Sequence, residues 1–264
     1  MVSGRARAYL MTRGTPRRLD YAFLGDAPPQ PWWEAVAPWQ LAEDAELVVR
    51  RTAGRTAVML SGIPSGRTDV VGTAIRHTVV VDDVQDDPAL ARWLVRCGLE
   101  EDARTGLGRA VDAAFDAELV DALLSGASQD VALRILDALR EGVAGSGEPA
   151  PEDGGVAGSW AGAAGDDTAV RAFRARTRQL VDGAASGYAF TTHLLDSADG
   201  ARRAAAELRE DVAVLLHEGR LRGVERLGKA EGPGPVRDTL APGVLAALVG
   251  AVLLALAVLV WLMT

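Results

Sequence analysis

The sequence predicts an α+β body, with a mainly antiparallel sheet and flanking helices, followed by one C-terminal transmembrane helix. Three observations predict it. Runs rich in β-branched residues, joined by short polar turns, fill the chain before Asp86. Apolar residues then recur at helical spacing. Residues 240–264, LAPGVLAALVGAVLLALAVLVWLMT, carry no charged side chain.

The strands come first. Residues 5–12 (RARAYLMT) and 19–25 (LDYAFLG) flank the polar turn RGTPRR. Residues 46–52 (ELVVRRT) and 55–61 (RTAVMLS) are joined by Ala53-Gly54, and residues 73–82 (TAIRHTVVVD) carry Ile75, Val79, Val80 and Val81. Such content and punctuation favour strands, and short connections favour antiparallel pairing. At Asp86 the period changes. Asp86-Asp87-Pro88 supplies a capping carboxylate and a proline for the first helical turn. Leu90, Trp93, Leu94 and Cys97 then share one helical face. Helical periodicity resumes over 107–124 and 130–139, with Ser128 as a cap for the latter.

The expected organisation is an N-terminal α+β region over 1–142 and a Gly/Ala/Pro-rich loop or linker over 143–166. An α/β segment over 167–228 completes the same body. It reads helix, strand (187–195), helix, strand (211–219), with Ser197 capping the second helix, an order that suggests a crossover onto a sheet. Residues 229–239 form a juxtamembrane linker and 240–264 the anchor.

An uncharged apolar stretch of ~20 residues is what a bilayer core requires, and a helix satisfies its backbone internally there. Pro242 suits the first turn and Trp261 the far interface. Arg220, Arg222, Arg226, Lys229 and Arg237 precede the stretch. By the positive-inside rule this keeps the body in the cytoplasm. The lone lysine among many arginines, with the Ala, Gly, Val and Asp load, suggests a GC-rich bacterial coding sequence, hence the inner membrane. Ala246 and Gly250, four apart, permit close helix packing and a homo-oligomer.

The net charge of −8 argues against general nucleic-acid binding, which needs a basic footprint. One cysteine, Cys97, excludes an intrachain disulfide and fits a reducing compartment. No secretory signal is visible.

The richest local sequence is 61–72, SGIPSGRTDVVG, read as a loop between two strands. Ser61, Ser65 and Thr68 offer hydroxyls, Arg67 and nearby Arg76 guanidiniums, and Asp69 a carboxylate. Backbone amides beside arginine suit a phosphate or carboxylate. No Walker or G-x-G-x-x-G pattern accompanies them. A hairpin in which Arg67 and Asp69 pair locally is the plain alternative. Trp32, Trp33 and Trp39, in PPQPWWEAVAPW, form either a partner surface or a core plug. Asp82, Asp83, Asp86 and Asp87 read as Mg²⁺ ligands or as turn and cap residues. His77, His193 and His217 are far apart in sequence, with no metal-ligand spacing, so neither a metal nor a cofactor is expected. Cys97, on an apolar helix face, reads as an inert thiol.

Two functions fit. One is a membrane-attached binding, adaptor or signalling module, for stress or defence, with a protein partner. The other is a membrane-tethered enzyme acting on an anionic, phosphate-containing substrate, using Arg67, Arg76 and either Asp69 or an acidic residue of 82–87.

Overall fold

The computed structural model describes residues 6–16, 19–29, 32–41, 43–127, 130–144 and 155–228, all within one compact unit, Met1–Ala230. The expected juxtamembrane linker and anchor, with Ala246 and Gly250, lie outside the described residues, as does Ser128. Among the described residues no helix is long and apolar enough to cross a membrane.

The described residues build one nine-stranded sheet. Its strands are β1 (Arg7–Thr12), β2 (Ala22–Phe23), β3 (Leu47–Thr52), β4 (Arg55–Thr68), β5 (Ala74–Asp82), β6 (Trp160–Ala163), β7 (Gly187–Thr192), β8 (Val212–Leu216) and β9 (Val224–Arg226). The order is β2-β1-β5-β4-β3-β7-β8-β6-β9. The sheet is mixed rather than simply antiparallel: β8 runs parallel to both β7 and β6, and the other pairings are antiparallel. The physical reason is the connection length. Hairpin turns join β3, β4 and β5, whereas helices carry the chain from β6 to β7 and from β7 to β8.

The helices are α1 (Trp32–Val36), α2 (Pro88–Leu99), α3 (Glu101–Ala114), α4 (Ala117–Leu124), α5 (Val131–Ala144), α6 (Asp167–Asp182) and α7 (Ala198–Leu208). They cover both faces of the sheet. Leu47, Val49, Val58, Leu60, Val79 and Val81 pack with α2 to α6, while Val48, Ala57, Met59 and Val80 pack with α1 and α7. Alternation along each strand produces the two cores, because successive side chains point to opposite faces. A sheet covered on both sides must be apolar on both.

Caps follow the local chemistry. Asp87 Oδ1 accepts from Leu90 N–H at the start of α2, Asp166 Oδ1 from Thr168 and Ala169 N–H at α6, and Ser197 Oγ from Gly200 N–H at α7. The expected helix over 107–124 is interrupted at Phe115–Asp116, where Asp116 caps α4 by accepting from Leu119 N–H. Asp130 Oδ1, accepting from Leu133 N–H, begins α5.

Two further expectations change. The stretch 143–166 holds the end of α5 and all of β6, whose four residues are buried. Small residues there are packing choices: a Cβ on Gly162 would lie 2.5 Å from the Ala169 side chain. The supposed loop at 61–72 is mostly strand, since β4 runs through to Thr68. Its pairing with β5 shifts register between Leu60 and Ile63. Gly62, at φ +61°, makes that bulge, and a Cβ there would sit 2.2 Å from the Asp44 carbonyl carbon. The bulge draws the Asp44–Glu46 backbone against β4: Ser61 N–H donates to Glu46 O, and Ser61 Oγ donates to Asp44 O.

Candidate functional site

The residues expected at 61–76 divide between three places. Ser65 and Arg67, on the far half of β4, enter a network with Thr12 of β1, His77 of β5 and Asp112 of α3. Ser65 Oγ donates to Asp112 Oδ1 at 2.7 Å, and Gly66 N–H donates to Oδ2 at 2.6 Å. His77 Nε2 lies 3.0 Å from Asp112 Oδ1, and Nδ1 lies 3.0 Å from Thr12 Oγ1. Arg67 reaches Thr12 Oγ1 at 2.9 Å and Asp112 at 3.5 Å. One proton arrangement satisfies the set: His77 Nε2–H donates to Asp112 while Nδ1 accepts the Thr12 hydroxyl proton.

The electrostatics agree. His77 is fully buried, and burial lowers its pKa against the raising influence of Asp112. Partial burial pushes Asp112 upward, but hydrogen bonds from His77, Ser65 and Gly66 N–H outweigh it and hold the carboxyl at about 2. Burial lowers the Arg67 pKa, offset by Asp112. Asp112 is therefore ionised and His77 neutral near pH 7, and Ser65 hydrogen-bonds a carboxylate instead of a base. This does not match the relay that activates a serine nucleophile.

Asp69 stands apart from this network. Its Oδ1 accepts from Val71 and Thr73 N–H, at 2.9 and 2.8 Å, and Arg13 lies 3.4 Å from Oδ2. Hydrogen bonds from the turn's N–H groups lower its pKa. Thr68 closes β4 opposite Ala74. Arg76 has its N–H on Tyr21 Oη and its carbonyl within 3.4 Å of the Thr12 hydroxyl. Ser61 lies on the opposite side of the bulge, beside Asp44. The Asp69–Thr73 turn, also held by Val70 N–H donating to Thr15 O, puts Val70 and Val71 into solvent at 61% and 55% exposure.

The aspartates at 82–87 are likewise separated. Asp82 Oδ1 accepts the Trp32 indole N–H at 2.8 Å. Asp83 takes a fork from Arg55 at 2.6 and 2.8 Å, with Arg7 at 3.4 Å. Asp87 caps α2. Among the described residues no three His, Cys, Asp or Glu side chains are placed to hold a metal ion. Trp32 is buried, whereas Trp33 and Trp39 are half-buried; Trp33 meets Phe23 edge-on at 5.4 Å. Cys97 is buried, and burial pushes its thiol up to about 12.

A constellation missed in the sequence lies where β7 and β8 end. His193 and His217 each follow a parallel strand, and Thr192 pairs with Leu216, so the two rings come into line. They stack with centroids 3.9 Å apart and planes within 3°. Glu46, just before β3, is fully buried. Its Oε1 accepts from His193 N–H at 2.8 Å with Nδ1 at 3.3 Å, and its Oε2 accepts from Leu41 N–H at 2.9 Å. Burial raises the Glu46 pKa to about 7 despite those hydrogen bonds. Loss of hydration lowers His217 to about 4, with His193 and Arg104 adding to it, although the residue is exposed overall. The carboxyl ends of parallel strands are the usual ligand crevice of open α/β sheets. A carboxyl near neutral pKa beside imidazole can exchange protons with a bound group. The signal was available: each histidine directly follows a β-like run, GYAFTT and VAVLL, in the helix–strand–helix–strand order.

No family model, curated protein or solved structure matches the chain.

Proposed function

We propose that the chain is a binding or adaptor module in signalling, attached to the bacterial inner membrane through residues 240–264 with its body in the cytoplasm. The observation that carries the binding role is the Asp69–Thr73 turn. Two exposed valines stand on a backbone fixed by Asp69, Arg13 and Thr15. A partner that covers them pays little ordering entropy, because the turn is already held in shape. The uncharged, bilayer-length sequence supports the attachment.

The enzyme reading loses support at the place first considered for it. Ser65, Arg67 and Asp69 are committed to internal partners, and the aspartates at 82–87 do not converge with them. Glu46 with His193 and His217 is the arrangement that favours catalysis as a second reading.

The test uses the full chain in a bacterial host. Most of the protein should pellet with membranes and leave them only in detergent, and a partner captured after solubilisation should be lost from Val70→Asp/Val71→Asp. Recovery of the full chain in the high-speed supernatant overturns the attachment. Identical captures by wild type and variant overturn the turn as the binding element.

A further inference from the structure

A cavity of about 130 Å³ lies between the sheet and the segment 32–40. Met11, Phe23, Met59 and Val80 line it from the sheet; Trp33, Ala37 and Gln40 line it from the covering segment. It lies apart from the Asp112 network and from the valine turn. Thr78 and Ser61 add hydroxyl-bearing side chains, and among the described lining residues none carries a charge.

Gln40 is only 8% exposed, yet among the described residues neither Nε2 nor Oε1 of its amide has a hydrogen-bond partner. The Trp33 indole N–H is also buried and has no partner among them. Buried amides are normally paired, because an unpaired donor and acceptor forfeit their hydration. The side chain thus offers a carbonyl acceptor and an NH2 donor group in the same plane, next to an apolar space with thioether and aromatic walls. In size the space is comparable to cavities of roughly 150 Å³ that admit benzene.

We propose that this cavity binds an uncharged single-ring molecule presenting adjacent N–H and C=O groups, a carboxamide or cyclic amide, to Gln40. The ring fills the space between the methionines and Trp33, and the amide edge pairs with the glutamine. Absence of charge in the lining selects against phosphates and carboxylates. This site is independent of the partner-binding turn.

Nicotinamide and uracil serve as probes, with toluene as the apolar control, titrated into the full chain in detergent and read by indole fluorescence and calorimetry. Wild type should bind at least one of the two amides saturably. Gln40→Met, which keeps length and removes the amide, should weaken that amide about tenfold to a hundredfold while retaining toluene. Ala37→Leu, at an exposed position on the cavity rim, should weaken both amide and toluene. Melting temperatures establish that each variant is folded, and Ala37→Leu decides the matter if Gln40→Met is not. The proposal is overturned by equal amide affinity in folded Gln40→Met, by undiminished amide binding in Ala37→Leu, or by a wild type that binds toluene only or neither amide.

Discussion

Two clusters in this molecule use nearly the same side chains to opposite effect. Asp112 with His77 and Glu46 with His193 are both carboxyl–imidazole pairs bridging distant parts of the chain. Asp112 receives Ser65, Gly66 N–H and His77 and stays ionised with a pKa near 2. Glu46 is more deeply buried, receives two backbone N–H groups, and titrates near 7. The donor count against the loss of hydration decides which form is favoured. The first cluster locks β1, β4 and β5 to α3. The second leaves a protonatable group at the end of the parallel strands.

The largest effect should come from breaking the first cluster. Asp112→Ala leaves Arg67 and the buried His77 without their carboxylate and should cost about 3 kcal/mol of unfolding free energy in urea titration. A loss under ~0.5 kcal/mol would show that the network holds nothing together. Acid titration sharpens the point. Asp112 is depressed from an ordinary 3.8 to about 2. Its contribution is therefore complete above pH 3.8 and vanishes as pH falls through 2. Asp112→Asn should flatten that limb.

Glu46 should show the reverse sign and a comparable size. Its folded pKa is raised from an ordinary 4.5 to about 7. Its contribution is complete below pH 4.5 and is lost as pH rises through 7, by about 3 kcal/mol. Unfolding measured from pH 5 to 8.5 should slope downward in wild type and become level in Glu46→Gln. A wild-type slope that persists in the variant would assign the titration elsewhere.

The smallest effect on stability belongs to the valine turn. Val70→Ser and Val71→Ser should each change unfolding free energy by less than ~0.5 kcal/mol, because neither side chain is buried. A drop of several degrees in Tm would mean that these valines support the fold and are not spare surface.

Much of this architecture was legible in the chain. Valine-rich runs between turn residues marked β3 and β5, Asp87-Pro88 marked the start of α2, and Ser197 marked α7. β6 was hidden because WAGA is small and sits in a glycine-rich stretch, where local composition resembles a loop; only pairing with β8 makes it a strand. The reach of β4 to Thr68 was hidden by its serines, glycines and Pro64. Asp112 carried no local signal, since one aspartate on a helix looks like a solvated residue until His77 meets it from 35 positions away. The His193–His217 stack was half visible. Reading the two strands as parallel neighbours would have aligned their ends, but the wide sequence gap concealed it.

The sole thiol of the protein lies on the buried face of α2 with its proton held far above neutral pH. Native protein should therefore resist maleimides and iodoacetamide at pH 7. A cysteine introduced at Val70 would then be the preferred target for a dye or crosslinker, without prior removal of Cys97, and a tether placed there would join this surface chemically to whatever sits on it in the living cell.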